Sequence, residues 1–144
     1  REDIRGDRIL WLDEAASTPA RQAYFSRMDA LRMAINQETF LGLFDLESHF
    51  AIYPPDSFYR KHLDRFRDDS ARTVSCILYL NRDWSPQDGG QLRLYLEPQG
   101  EGDYIDVAPA AGTLVVFLSD RFWHEVLPTR RERMSLTGWF RTRN

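Results

Sequence analysis

The chain has 144 residues, a formal net charge of −3 and 42% hydrophobic residues, which suits one folded domain over residues 1–144. This apolar content excludes disorder for most of the chain, and the slight acidity provides no basic field for a nucleic-acid backbone. No apolar run approaches the roughly 18 residues that span a bilayer, so we expect no membrane segment. The single cysteine, Cys76, cannot form an internal disulfide and favours a reducing compartment. We therefore expect a cytoplasmic monomer.

The first predicted elements are a strand and a helix. Residues 8–12 alternate enough for a strand, and residues 17–18 then supply a helix cap before Pro19 at the first helical position. Apolar side chains recur after them at helical spacing, at Tyr24, Met28, Leu31 and Ile35. This spacing predicts a helix of about 17 residues whose apolar stripe faces the core.

After Gly42 the sequence changes to short β-rich segments separated by turn residues. The predicted strands are 46–53, 58–63, 72–80, 91–96, 103–107, 113–118, 123–127 and 133–141. The breaks between them carry the Pro, Gly, Asn and Asp residues that are typical of turns. One helix followed by about eight strands predicts an α+β fold, a cupin-like double-stranded β-helix (jelly roll) with a supporting helix.

Two histidines and one aspartate form the first candidate site. His62 and Asp64 are two residues apart at a predicted strand, so their side chains should point to the same face. His124 follows at the start of a later predicted strand. Two histidines and a carboxylate form the facial triad that leaves three positions open on Fe(II). The same ligands also suit Mn, Co, Ni or Zn, so ligand type alone does not name the metal.

Arg133, nine residues after His124, suggests what else the metal site binds. If segments 123–127 and 133–141 form a hairpin, an inward Arg133 lies near the metal-binding end of the first strand. There its guanidinium can bind the far carboxylate of a dicarboxylate co-substrate in two-pronged fashion, while the near 2-oxo acid chelates iron. We therefore expect Arg133 to bind a co-substrate rather than to be a surface arginine.

Several segments carry a family resemblance. His62, Asp64, His124 and Arg133 on a predicted jelly roll resemble the site of the 2-oxoglutarate and Fe(II)-dependent dioxygenases. More narrowly, the chain resembles the prolyl 4-hydroxylases of the hypoxia-sensing type, and among them the bacterial members, in the segments RGDRILW (5–11), YRKHLD (59–64), RTVSCILYLNRDW (72–84), GGQLR (89–93) and SDRFWHEV (119–126). That family carries further helices at its N-terminus, so we expect the chain to lack part of this region.

The resemblance implies a reaction and its partners. It implies a peptidyl-prolyl 4-hydroxylase that uses Fe(II), 2-oxoglutarate, O2 and the reductant ascorbate, and that releases succinate and CO2. The substrate is then a protein with a target proline, and elongation factor Tu is the candidate.

The resemblance also implies a role for individual residues. His62, Asp64 and His124 bind the metal, and Arg133 pairs with the C5 carboxylate of 2-oxoglutarate. Other implied pocket residues are Tyr79, whose hydroxyl supports that carboxylate, Thr137 as a polar contact in the same pocket, and Tyr53 at the iron site. The implied substrate contacts are Arg72, Trp139, Asp7, Arg5 and the 82–88 turn.

Two other functions stay open at this point. An oxygenase with the same metal core can act on a small molecule or a nucleic-acid base. A jelly roll with an inactive metal site can instead serve as a non-catalytic binding module. Of the remaining candidates, His49 has no partner at ligand spacing and is expected to be a structural or surface histidine, and Cys76 is expected to be an inert buried thiol.

Overall fold

The computed structural model describes residues 6–16, 18–64 and 71–143. Within these residues the chain forms one α-helix, α1 (Pro19–Thr39), two short 3-10 helices at Glu14–Ala16 and Pro86–Asp88, and nine strands. The strands are β1 (Arg8–Trp11), β2 (Leu43–Tyr53), β3 (Tyr59–His62), β4 (Arg72–Tyr79), β5 (Leu92–Tyr95), β6 (Tyr104–Val107), β7 (Leu114–Leu118), β8 (His124–Val126) and β9 (Arg133–Thr142).

The strands form two antiparallel sheets. In the described part of the chain, one sheet has the order β1-β2-β9-β4-β7 and the other has the order β3-β8-β5-β6. From β2 onward most connections cross from one sheet to the other, which is the path of a jelly roll. The predicted α+β jelly roll with a supporting helix is therefore confirmed.

Helix α1 begins as its sequence predicts and continues further. The Thr18 side chain accepts a hydrogen bond from the backbone N–H of Arg21, and Pro19 opens the first turn. The helix has 21 residues and is capped by Phe40, whose φ of 58° is left-handed and whose N–H donates to the Asn36 carbonyl. In the described residues no helix combines the length and apolarity needed to cross a membrane.

Asn36 also explains why β2 starts before its predicted first residue, 46. The side-chain amide of Asn36 donates to the Leu43 carbonyl at 2.9 Å, and its oxygen accepts from the Leu43 N–H at 2.7 Å. A helix side chain thus hydrogen-bonds both backbone groups of Leu43, the first residue of the strand. The apolar alternation that predicted the strand contains no signal of this contact. The bounds of the other strands lie within one residue of the predicted ones.

Two apolar clusters stabilise the two sides of the five-stranded sheet. The apolar stripe of α1 packs on one face, with Tyr24, Phe25, Met28, Leu43, Val74, Cys76 and Phe140 buried. Cys76 is buried as expected, and burial raises the pKa of its thiol to about 12, which disfavours the reactive thiolate. A second cluster lies between the sheets and contains Ile77, Tyr79, Leu92, Leu94 and Phe117. Three members of this second cluster, Ile77, Tyr79 and Leu92, also line the cavity of the candidate site.

The predicted hairpin of 123–127 with 133–141 is wrong. Strand β8 pairs with β3 and β5 in the four-stranded sheet, whereas β9 pairs with β2 and β4 at the centre of the other sheet. The segment between them crosses from sheet to sheet. Its backbone is held there by hydrogen bonds from the Gly90 N–H to the Pro128 carbonyl and from the Arg130 N–H to the Asp88 carbonyl.

Replacing Phe140 tests the packing of α1 on the sheet. Phe140 is fully buried on β9 beneath the helix, so Phe140→Ala should lower the free energy of unfolding by about 3 to 5 kcal/mol. Urea unfolding followed by circular dichroism measures the change. The matched control is Phe40→Ala at a side chain that is 89% exposed, which should change stability by less than about 0.5 kcal/mol. Equal effects of the two changes would contradict this assignment of the core.

Candidate active site

A cavity of about 180 Å³ opens between the two sheets. Its wall on the five-stranded sheet follows the period of two expected for strands. Alternate residues of β2 and β9 line it, namely His49, Ala51, Tyr53, Arg133, Ser135, Thr137 and Trp139. The four-stranded sheet contributes His62, Leu92, His124 and Val126 to the opposite wall. Side chains from both sheets therefore face one cavity.

The three predicted metal ligands meet in this cavity. One ligand atom each from His62, Asp64 and His124 lies within 4.8 Å of the other two. Asp64 Oδ1 is 3.4 Å from His62 Nε2 and 3.2 Å from His124 Nε2. His62 ends β3 and His124 begins β8, where the two residues pair across the strands, but Asp64 lies beyond the end of β3. The turn after the strand, and not strand alternation, brings the carboxylate to the imidazoles.

The two imidazole rings are oriented as metal ligands. His62 Nδ1 is 2.7 Å from the Arg60 carbonyl, and His124 Nδ1 is 2.9 Å from the Phe122 carbonyl. A carbonyl only accepts, so each Nδ1 carries a proton and each Nε2 can offer its lone pair to a metal. The ring of His62 also stacks on Tyr59, with 3.8 Å between ring centroids. This donor set fits Fe(II) with three positions left open.

Burial and mutual attraction set the charge of this cluster. Burial lowers the pKa of His62. Burial alone would raise the pKa of Asp64, but the charge and hydrogen bonds of His124 and His62 outweigh it and hold this pKa well below its usual value. The same attraction by Asp64 outweighs the burial of His124 and raises its pKa. Asp64 is therefore kept as a carboxylate, the form that binds a cation.

Arg133 enters the cavity from the five-stranded sheet and is only 2% exposed. Its Nε donates to the Gly90 carbonyl at 2.7 Å, and one terminal nitrogen donates to the Tyr79 hydroxyl at 3.4 Å. Gly90 has a φ of +68°, and a Cβ there would lie 3.1 Å from Arg133 Cδ, so glycine makes room for this side chain. Among the described residues no carboxylate forms an ion pair with Arg133. A buried guanidinium without a counter-ion is set up to bind an anionic ligand.

The structure places Tyr53 and Tyr79 against Arg133, and Thr137 further along the same wall of the cavity. Tyr53 pairs with Arg133 across β2 and β9, and the guanidinium lies 4.9 Å from its ring centroid. The ring of Tyr79 lies 5.0 Å from the same guanidinium, and burial raises the pKa of its hydroxyl. Thr137 lies four residues after Arg133 on β9, so its side chain is on the same wall of the cavity.

Three of the five predicted substrate contacts lie in the wall of the cavity. Asp7, Arg72 and Trp139 line it, and the Arg72 guanidinium stacks on the Trp139 ring at 3.9 Å while donating to Glu47. Arg5 lies outside the described residues. None of the 82–88 residues lines the cavity; instead Arg131 stacks on Trp84 and donates to the carbonyls of this turn.

His49 is a pocket residue that the sequence analysis did not identify. It is buried, and its ring packs between Trp11 at 4.9 Å and Trp139 at 5.3 Å. It precedes Ala51 and Tyr53 by two and four positions, so strand alternation from Tyr53 places it on the same face. Trp139 also brings a buried indole Nε1–H that has no hydrogen-bond partner among the described residues.

Comparisons with known proteins agree with this site. The family model of the 2OG-Fe(II) oxygenase superfamily matches residues 48–141, a range that contains the three metal ligands and Arg133. A crystal structure of a Pseudomonas putida prolyl-4-hydroxylase superposes with a TM-score of 0.93 at 60% identity, over 100% of this chain and 76% of that one. A Trichoplax adhaerens prolyl hydroxylase, solved with a hypoxia inducible factor peptide fragment, gives a TM-score of 0.85 at 31% identity, over 98% and 65% of the two chains.

A curated relative is similar along nearly the whole chain. Human Egl nine homolog 1 is 34% identical over 147 aligned positions, which cover 96% of this chain and 33% of that protein. The chain thus spans about a third of the length of that relative. Together with the site, these matches show that the chain belongs to the prolyl hydroxylases of the 2OG-Fe(II) oxygenase superfamily.

Proposed function

We propose that this protein hydroxylates a prolyl residue of a protein substrate with Fe(II), 2-oxoglutarate and O2, in the cytoplasm. One observation carries the proposal: a His-Asp-His cluster and a buried arginine without a carboxylate partner among the described residues face the same cavity. A metal and a dianionic co-substrate complete these two groups. When bound, they would supply the oxidising chemistry together with O2, which converts 2-oxoglutarate to succinate and CO2.

The chain's own residues hold and orient these groups. His62, Asp64 and His124 would bind the iron on one side and leave the other side open. Arg133 would bind the far carboxylate of 2-oxoglutarate, with the hydroxyls of Tyr79 and Thr137 as further polar contacts and Tyr53 nearer the metal. The apolar side chains of Ile77, Leu92 and Val126 line the space between and keep water out of it.

The part of the cavity around Trp139 suits a peptide. Trp139 offers a buried N–H that can donate to a backbone carbonyl, and the Arg72 guanidinium stacks on the same indole ring. A peptide backbone presents such acceptors along its whole length. The Trichoplax relative was solved with a peptide fragment, which supports the same class of substrate for this chain. Elongation factor Tu is the substrate that we propose to test first.

Removing one metal ligand should separate metal binding from the rest of the fold. Mn(II) at 100 times its dissociation constant should stabilise the wild-type protein by about 2.7 kcal/mol. His124→Ala should lose this stabilisation and all turnover because two ligands remain. Thermal unfolding with and without Mn(II) measures the effect. Arg133→Ala is the control and should retain the stabilisation by Mn(II). Loss of this stabilisation in both variants would contradict separate roles for His124 in metal binding and Arg133 in co-substrate binding.

Removing the Arg133 guanidinium should weaken the binding of the co-substrate. Arg133→Ala should reduce the binding free energy of 2-oxoglutarate by about 2 to 4 kcal/mol, since it deletes a desolvated charge pair. Isothermal titration of the Mn(II)-loaded protein under argon measures this change. Arg131→Ala serves as the matched control, because Arg131 stacks on Trp84 outside the cavity. Unchanged affinity in Arg133→Ala would show that the carboxylate binds elsewhere.

The reaction itself is tested by measuring succinate formation and the mass of the substrate protein in the same incubation. The protein is incubated in air with Fe(II), 2-oxoglutarate and ascorbate, with and without elongation factor Tu, and that factor is then analysed by mass spectrometry. We expect succinate formation to rise with the factor and one proline to gain about 16 Da, the mass of one oxygen atom. Turnover without a modified proline discards this substrate and favours a small molecule or nucleic-acid base. Absence of any turnover in iron-loaded protein favours a binding module.

A further inference from the structure

Two buried serines stand behind the carboxylate of the metal cluster. Asp64 presents Oδ1 to both imidazoles, and its other oxygen, Oδ2, accepts a hydrogen bond from Ser75 Oγ at 2.7 Å. Ser75 Oγ lies 2.8 Å from Ser119 Oγ. Both serines have 0% exposure, and neither lines the cavity. The two hydroxyls therefore contact the site only through Asp64.

The direction of this chain follows from counting protons. A hydroxyl has one proton to donate, and a carboxylate only accepts, so the proton of Ser75 is used on Asp64 Oδ2. Ser119 must then donate to Ser75 Oγ. Such a chain of donors pointing at a carboxylate is charge-assisted at its end, and each bond polarises the next.

The backbone fixes both hydroxyls independently of Asp64. Ser75 lies within β4, where it pairs with Phe117 on β7 and Trp139 on β9. Ser119 follows β7, and its N–H donates to the Thr73 carbonyl of β4. Asp64, in contrast, lies in the turn after β3, in the opposite sheet. The hydrogen bond from Ser75 therefore ties a turn of one sheet to a central part of the other.

We propose that Ser119 and Ser75 are positioning residues that make Asp64 a one-oxygen metal ligand. The proposal rests on the proposed iron site. With Oδ2 held by Ser75, only Oδ1 faces the metal. Three single-atom ligands leave three of six positions open, and a two-oxygen carboxylate would take one of them. 2-Oxoglutarate as a chelate and O2 together need all three, so the hydroxyl chain keeps the coordination sphere open for both.

The test measures metal binding without turnover. Mn(II) is titrated into the purified apoprotein, and free Mn(II) is followed by electron paramagnetic resonance. Ser75→Ala should weaken the binding of Mn(II) on the order of 10- to 100-fold, as removal of a hydrogen-bond partner of a metal ligand does. Ser119→Ala should have a smaller effect because Ser75 still donates to Asp64. The double variant should be no weaker than Ser75→Ala, since Ser119 acts through Ser75 alone.

Two variants separate positioning from a general loss of structure. Ser75→Thr keeps the hydroxyl and should restore Mn(II) affinity to within about threefold of wild type, a difference of about 0.7 kcal/mol. Ser48→Ala removes another buried hydroxyl, one that bonds Tyr24 and the Thr137 carbonyl, and should leave Mn(II) affinity unchanged. Mn(II) affinity in Ser75→Ala equal to wild type, or additive losses in the double variant, would overturn the proposal. A wild-type protein that binds no Mn(II) would instead overturn the metal site itself.

Discussion

Two buried groups of opposite charge face the same cavity without pairing with each other, and the rest of the site is organised around that constraint. Asp64 is 8% exposed and Arg133 is 2% exposed. A buried charge destabilises a fold unless polar partners surround it. Asp64 has two imidazoles and a serine hydroxyl, whereas Arg133 has a carbonyl, a phenol hydroxyl and aromatic rings. Among the described residues no lysine or arginine pairs with Asp64 and no carboxylate pairs with Arg133, so a cation can bind at the first group and an anion at the second.

The jelly roll explains why the two groups stay apart. The metal ligands lie on or just after strands of the four-stranded sheet, and Arg133 lies on the central strand of the other sheet. The apolar cluster around Tyr79 and Leu92 packs between the sheets and sets their separation. A ligand that binds both groups must therefore span the gap between sheets. A short dicarboxylate with a 2-oxo acid at one end has the required chemistry at each end.

The sequence predicted most of this site, and its errors have physical causes. Strand alternation and turn residues located the strands, and residue types at a few positions indicated the metal ligands. The hairpin of β8 with β9 could not be excluded from the sequence because strand pairing depends on which sheet each strand joins. The prediction that Arg133 faces the metal site did not depend on this pairing, because the side chains of β9 alternate between the two faces of the sheet whichever strand is their partner. Ser75 and Ser119 were not identified because a buried serine in an apolar strand carries no local signal of its long-range partner.

The most direct test of this account is a crystal structure of the protein with Mn(II) and 2-oxoglutarate, grown without oxygen. We expect one metal ion bound by Nε2 of His62, Nε2 of His124 and the single oxygen Oδ1 of Asp64. We also expect the 2-oxo acid of the co-substrate on that metal and its far carboxylate on the Arg133 guanidinium. A metal bound by other residues, or a far carboxylate directed away from Arg133, would contradict the account.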